Sequence, residues 1–179
     1  MDVRRVITEI DGFLSGRGHR WALAGALALH AYGYGRATAD VDLVTEAAAQ
    51  PGLLEHLEGL GYHTLHISEG YSNHAHPRPE WGRVDVIYVS GPTAERLFGE
   101  ARRIEGLLAH PVRVPSPEHL AAMKALAIRN DPSRKLREMA DIGFLLGLPG
   151  VDRQRVGRFF AGYGLEGVWR DIEAALNSG

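Results

Sequence analysis

The chain contains no cysteine, which at once removes disulfides, a thiol nucleophile and every thiolate-ligated zinc or iron–sulfur site. Any metal must therefore sit on oxygen or histidine. There is also no stretch near the roughly 18 uninterrupted apolar residues that a membrane helix requires. The nearest run, residues 21–34, is broken by Gly25, His30 and Gly33. The opening MDVRRVITEI is amphipathic and has no apolar core ahead of a small-residue cleavage site, so it does not read as a signal peptide. These absences lead us to expect a cytoplasmic protein without membrane contact. Internal repeats and low-complexity tracts are missing too, and so is any strong net charge: 20 Lys and Arg stand against 22 Asp and Glu, giving −2. Bulk electrostatics thus does not announce a nucleic-acid duplex as partner.

What is present is a chain of 179 residues, 45% of them apolar, enough for one domain with a real core, perhaps one carrying a helical appendage. The charge is unevenly distributed. Residues 1–90 hold 7 basic and 11 acidic side chains, whereas residues 113–179 hold 10 and 8. An acidic front and a mildly basic rear suit a metal–nucleotide site better than a duplex-binding surface.

Apolar spacing predicts a first helix through Val3, Val6, Ile7, Ile10 and Leu14. A strand follows at 21–24, a tight turn at Gly25-Ala26 and a helix over 27–32. A second strand is expected at 41–44, a helix at 47–60, a third strand at 62–67, a polar loop over 68–82 and a further strand at 83–89. After a helix near 93–101 and short strand-like pieces at 104–108 and 112–114, the tail reads as all helical, with helices opening at Ser116-Pro117, Asp131-Pro132 and Asp152. The expected architecture is mixed α/β: a small mixed β-sheet flanked by helices over 1–115, and a C-terminal helical region over 116–179 packed on it.

Asp40 and Asp42 carry the chemistry. At i and i+2 in a strand they share one face, with Cα atoms about 6.6 Å apart. Two such carboxylates can coordinate a shared pair of cations about 3.5 to 4 Å apart, the arrangement that clamps attacking and leaving oxygens in phosphoryl transfer. Without a counter-charge they would repel. Asp85, mid-strand among Val84, Val86 and Ile87, is the candidate third acid, placed beside the first two if the strands are neighbours. Gly25 and Ala26, where a strand turns into a helix, offer backbone N–H groups to a phosphate. His63, His66, His74 and His76 lack the helical spacing of a zinc site; His74 and His76 are expected to line a substrate mouth instead.

The stretch Ala24-Gly25-Ala26, the Asp40-Val41-Asp42 that follows it, and Val84-Asp85-Val86 resemble the nucleotidyltransferase superfamily of DNA polymerase β-like fold. Within it, Gly25 to His30 followed by Tyr34 to Leu43 is similar to minimal nucleotidyltransferases of the AbiEii toxin type, with Lys124 and Arg137-Glu138-Met139-Ala140-Asp141 matching the two closing motifs in shape. The resemblance covers residues 20–146. It implies a Mg²⁺- or Mn²⁺-dependent transfer of a nucleoside monophosphate from a nucleoside triphosphate to a tRNA or protein acceptor, and an antitoxin partner if the chain is a toxin. Asp40, Asp42 and Asp85 would hold metal, Gly25, Ala26, Arg36 and Lys124 the nucleotide, and Asp40, Asp42, Asp85, Lys124 and Asp141 would act in catalysis. Arg36 reaches the triphosphate or steadies its loop. Lys124 either meets the nucleotide or snorkels from an apolar helix, and Asp141 is a functional carboxylate or half of a buried ion pair. Two departures stand out: Ala26 replaces the usual Gly or Ser, and Arg137-Glu138 replaces Lys-Asp. The same fold also serves antibiotic adenylyltransferases, and, with its chemistry lost, binding modules.

Overall fold

A computed structural model describes residues 1–35 and 37–177. The chain divides into two compact units, Met1–Pro115 and Ser116–Gly179, and each is described by itself.

The first unit opens with α1 (Val3–Gly16), capped by the Asp2 carboxylate accepting from the Arg5 amide, and it buries Val6, Ile7, Ile10 and Leu14 along one stripe. Then come β1 (Trp21–Leu23), α2 (Gly25–Ala31), β2 (Asp40–Glu46), a 3₁₀ turn at Ala47–Ala49, α3 (Gln50–Gly59), β3 (His63–Ile67), β4 (Tyr71–Ala75), β5 (Arg83–Val89), α4 (Gly91–Gly99), β6 (Arg102–Ile104) and β7 (Val112–Val114). Five strands form a mixed sheet in the order β1-β2-β5-β4-β3, and β6 and β7 form a separate two-stranded ribbon. Only the central β2–β5 pair is parallel.

Register decides the two faces. Val41, Leu43 and Thr45 of β2 share one with Val84, Val86 and Tyr88 of β5, and all are buried. Leu53 and Leu57 of α3 are buried as well. On the opposite face Asp40, Asp42, Asp85, Asn73 and Tyr71 are all partly exposed.

The polar segment expected to be a loop over 68–82 contains a strand. β4 lies between β5 and β3, and its buried positions are polar rather than apolar. Ser72 Oγ lies 2.8 Å from both His74 Nε2 and the Tyr88 hydroxyl, and Thr64 Oγ1 is 3.2 Å from His74 Nδ1. These mutual hydrogen bonds satisfy groups whose unpartnered burial would be unfavourable. The strand expected at 104–108 instead runs over Arg102–Ile104.

The second unit contains α5 (Pro117–Asn130), a 3₁₀ turn at Pro132–Arg134, α6 (Lys135–Leu146), α7 (Arg153–Gly162) and α8 (Glu166–Asn177). The sequence reading had one helix from Asp152; Gly164, at φ +70°, divides it into two. Leu120, Ala125, Ile142, Leu145, Val156 and Phe160 are buried, and the Phe160 and Trp169 rings lie 5.3 Å apart. Among the described residues no helix is long and apolar enough to cross a membrane.

Candidate active site

The open face of the sheet gathers most of the residues singled out by sequence. Asp42 on β2 stands directly beside Asp85 on β5, and Asp40 is in register with Arg83. Residues aligned in a parallel pair point to the same side, so the two carboxylates are neighbours on one face. Asp40 lies two residues upstream on that face. The adjacency assumed from sequence is therefore present. The three acids are not, however, drawn into a ready-made triad: among the described residues no group of three His, Asp or Glu side chains stands close enough to hold a metal ion.

Gly25 explains why Asp42 faces where it does. The Ala24 amide donates to the Asp42 carbonyl at 2.9 Å, bringing the end of β1 against β2. The chain then enters α2 through Gly25 at φ +55°, where a Cβ would lie 2.8 Å from Asp42 Cβ and closer still to Cγ and Oδ2. A glycine here both takes the left-handed backbone and leaves room for the carboxylate. Ala26 is fully buried, so its methyl belongs to the core and only its backbone N–H remains for a ligand. Arg36 lies outside the described residues.

Two residues the sequence reading did not select complete this face. Asn73 of β4 is directly opposite Asp85, and its Nδ2 donates to Asp85 Oδ1 at 2.7 Å and also to the Tyr71 hydroxyl. Burial first, then the negative charge of Asp85, pushes the Tyr71 phenol up to about 12. Asp85 Oδ1 is thus held by a neutral donor. Carboxylate oxygens on neighbouring strands are the hard donors Mg²⁺ prefers, so Asp42 and Asp85, with Asp40 beside them, fit such an ion in chemistry.

The histidines do not line this face as expected. His74 is buried on the opposite side in the Ser72–Tyr88 network, where desolvation lowers its pKa. His76 stacks on Trp81 and sits 3.2 Å from the Leu60 carbonyl.

In the helical unit, Lys124 of α5 is buried, with Nζ 2.9 Å from Glu138 Oε2 and 2.5 Å from Asp141 Oδ2, both on α6. Glu138 Oε1 also accepts from Arg134 Nη2 at 2.8 Å. Burial, the largest influence on Glu138, would push its pKa up; Lys124 and Arg134 together outweigh it and hold the carboxyl below the usual glutamate value. Glu138, the first acid of the sequence motif, was not selected as a site residue, because sequence does not show which side chains close around Lys124.

No protein-family model matches the sequence, and no curated protein does. Solved structures do. The chain is similar to the solution structure of the antibiotic-resistance factor ANT(2'')-Ia, with a TM-score of 0.63 at 20% identity, covering 99% of this chain and 97% of that one. It is similar to the lincosamide antibiotic adenylyltransferase LnuA in its lincomycin-bound form (TM-score 0.57, 14% identity, 80% and 96% covered). It also resembles an antigenic nucleotidyltransferase-like protein from Paracoccidioides brasiliensis (TM-score 0.56, 18% identity, 98% and 92% covered). The chain thus has the nucleotidyltransferase fold.

Proposed function

We propose that this chain is a metal-dependent nucleotidyltransferase that moves a nucleoside monophosphate from a nucleoside triphosphate to an acceptor hydroxyl. The observation that carries the reading is the pair Asp42–Asp85, in register across the parallel strands with Gly25 packed against Asp42. Asp40, Asp42 and Asp85 would hold Mg²⁺ or Mn²⁺. Such an ion, when bound, neutralises charge developing on the phosphate oxygens. Asp85 takes the proton from the acceptor hydroxyl as its oxygen bonds to the α-phosphorus, and pyrophosphate leaves. The amides of Gly25 and Ala26 donate to phosphate oxygens, and the sequence resemblance assigns Arg36 to the nucleotide as well. The pairing of Lys124 with Glu138 and Asp141 supports a role for Lys124 and Asp141 in holding α5 to α6 rather than in meeting the nucleotide.

For the acceptor, the acids of the open face favour a cationic small molecule over RNA. ANT(2'')-Ia has been captured with adenylyl-2''-tobramycin, and LnuA with lincomycin; an antibiotic-like amino sugar is the acceptor class we propose. A second reading rests on the AbiEii-like stretch Tyr34 to Leu43 and the basic excess of residues 113–179: a tRNA or protein acceptor, with the chain as a toxin restrained by an antitoxin.

The test is incubation with each labelled nucleoside triphosphate and Mg²⁺ or Mn²⁺, in the presence of tobramycin, lincomycin or total tRNA. Label should appear on a small molecule together with released pyrophosphate. Label on tRNA selects the second reading. No transfer with any acceptor, together with nucleotide affinity unchanged by chelator, would leave a binding module and overturn the proposal.

A further inference from the structure

We propose that Asn73 is a positioning residue for Asp85: its side-chain amide fixes one carboxylate oxygen so that the other is presented to the acceptor hydroxyl. The inference rests on the nucleotidyl-transfer reading and adds to it a residue outside the acidic motif.

Asparagine is depleted in strands, so sheet formation alone gives little reason for Asn73 at the centre of β4. Its place is explained by what lies opposite. In an antiparallel pair the facing side chains have Cβ atoms about 4.5–5.5 Å apart, within reach of a short amide, and Asn73 faces Asp85. An ionised carboxylate only accepts hydrogen bonds, so it takes the NH₂ edge of the amide; Nδ2 donates to Oδ1 at 2.7 Å. The same Nδ2 donates to the Tyr71 hydroxyl. The Tyr71 ring is backed by His66, 6.3 Å away between centroids. The result is an amide of β4 that bridges the Asp85 carboxylate of β5 and the Tyr71 hydroxyl.

A neutral amide fixes the carboxylate's orientation without adding a charge to a site that is to receive a cation. Orientation matters because a displacement of about 1 Å at a reacting group can lower the rate on the order of a hundredfold.

The test compares Asn73→Leu, which keeps the branched shape without donors, Asn73→Asp, which keeps the shape but only accepts, and Asn73→Gln, which restores an amide. With the acceptor labelled by wild type, kcat should fall by about ten- to a hundredfold in Asn73→Leu and further in Asn73→Asp. It should recover in part in Asn73→Gln, with KM for the nucleotide within about twofold and melting temperature near wild type throughout. Crystal structures of wild type and Asn73→Leu supply a readout independent of turnover: the Asp85 carboxylate should keep its orientation in the first and turn in the second. If wild type transfers nothing but Asp85 turns in Asn73→Leu, positioning stands and the proposed reaction falls. If wild type is active and Asn73→Leu matches it in kcat, or if Asp85 stays in place without the amide, the positioning role is overturned while the reaction remains.

Discussion

The acids of the open face and the acids of the helical unit are the same residue types in opposite surroundings. Asp85 is held by the neutral amide of Asn73, on a face that stays partly exposed, with Asp42 alongside. Glu138 and Asp141 are almost fully buried and share the Lys124 ammonium, with Arg134 adding a second cation to Glu138. Two adjacent carboxylates kept among neutral groups attract a cation from outside. Two carboxylates balanced by Lys124 and Arg134 have no net charge left to offer. On the proposed reading the first acids act on a ligand and the second hold the fold, a division that residue type alone does not make.

Removing the shared cation gives the sharpest break. Lys124→Ala would leave two buried carboxylates without it, and loss of one partner from a buried pair destabilises by about 3–5 kcal/mol; urea unfolding should show that loss. Unchanged stability would dissolve the contrast. On the other side, Gly25→Ala should lower turnover on the order of a hundredfold, because the new methyl must displace the Asp42 carboxylate and misplacing a reacting group has that scale of effect. The left-handed backbone adds about 1–2 kcal/mol of strain to that variant, so turnover per folded molecule is the quantity to measure.

Acid sharpens the comparison further. The folded Glu138 pKa lies below its ordinary 4.5, so its contribution to stability is complete above that value and is lost as pH falls through the lower folded one. Melting curves taken downward from pH 5 should fall, and Glu138→Gln should flatten the dependence. The smallest effect is expected at His110, an exposed residue whose Nε2 lies 2.8 Å from Asp11 Oδ2. Its pKa is raised, first by the hydrogen bond to the Pro111 carbonyl and then by Asp11. This contribution is present below about 6.5 and fades as pH rises through the folded value. His110→Ala should remove a slight decline in melting temperature on the alkaline side.

The sequence made the acidic motif legible because strand alternation alone puts Asp40 and Asp42 on one face, and because Asp85 sits in an otherwise apolar strand. The glycine turn was equally readable, and the packing of Gly25 against Asp42 gives it a steric reason. β4 was not readable. Ser72 and His74 are buried by hydrogen-bonding each other and Tyr88 rather than by being apolar, and Asn73 is placed by Asp85, twelve residues away. Hydrophobic periodicity cannot detect a strand whose burial is satisfied by polar partners. Lys124 shows the same limit: its apolar neighbours Leu120 and Ile128 mark a buried helix face, but the closure of Glu138 and Asp141 around it is a property of α5 meeting α6.

The most direct measurement is turnover per folded molecule and melting temperature for Asp85→Asn and Glu138→Gln side by side, at saturating Mg²⁺ and nucleotide. Asp85→Asn should lose about 10²- to 10⁴-fold in turnover, the range for removing a general base, with little change in melting temperature. Glu138→Gln should melt lower and turn over normally once folded. The reverse pattern, with activity lost at Glu138 and retained at Asp85, would contradict the assignment of the chemistry to the open face.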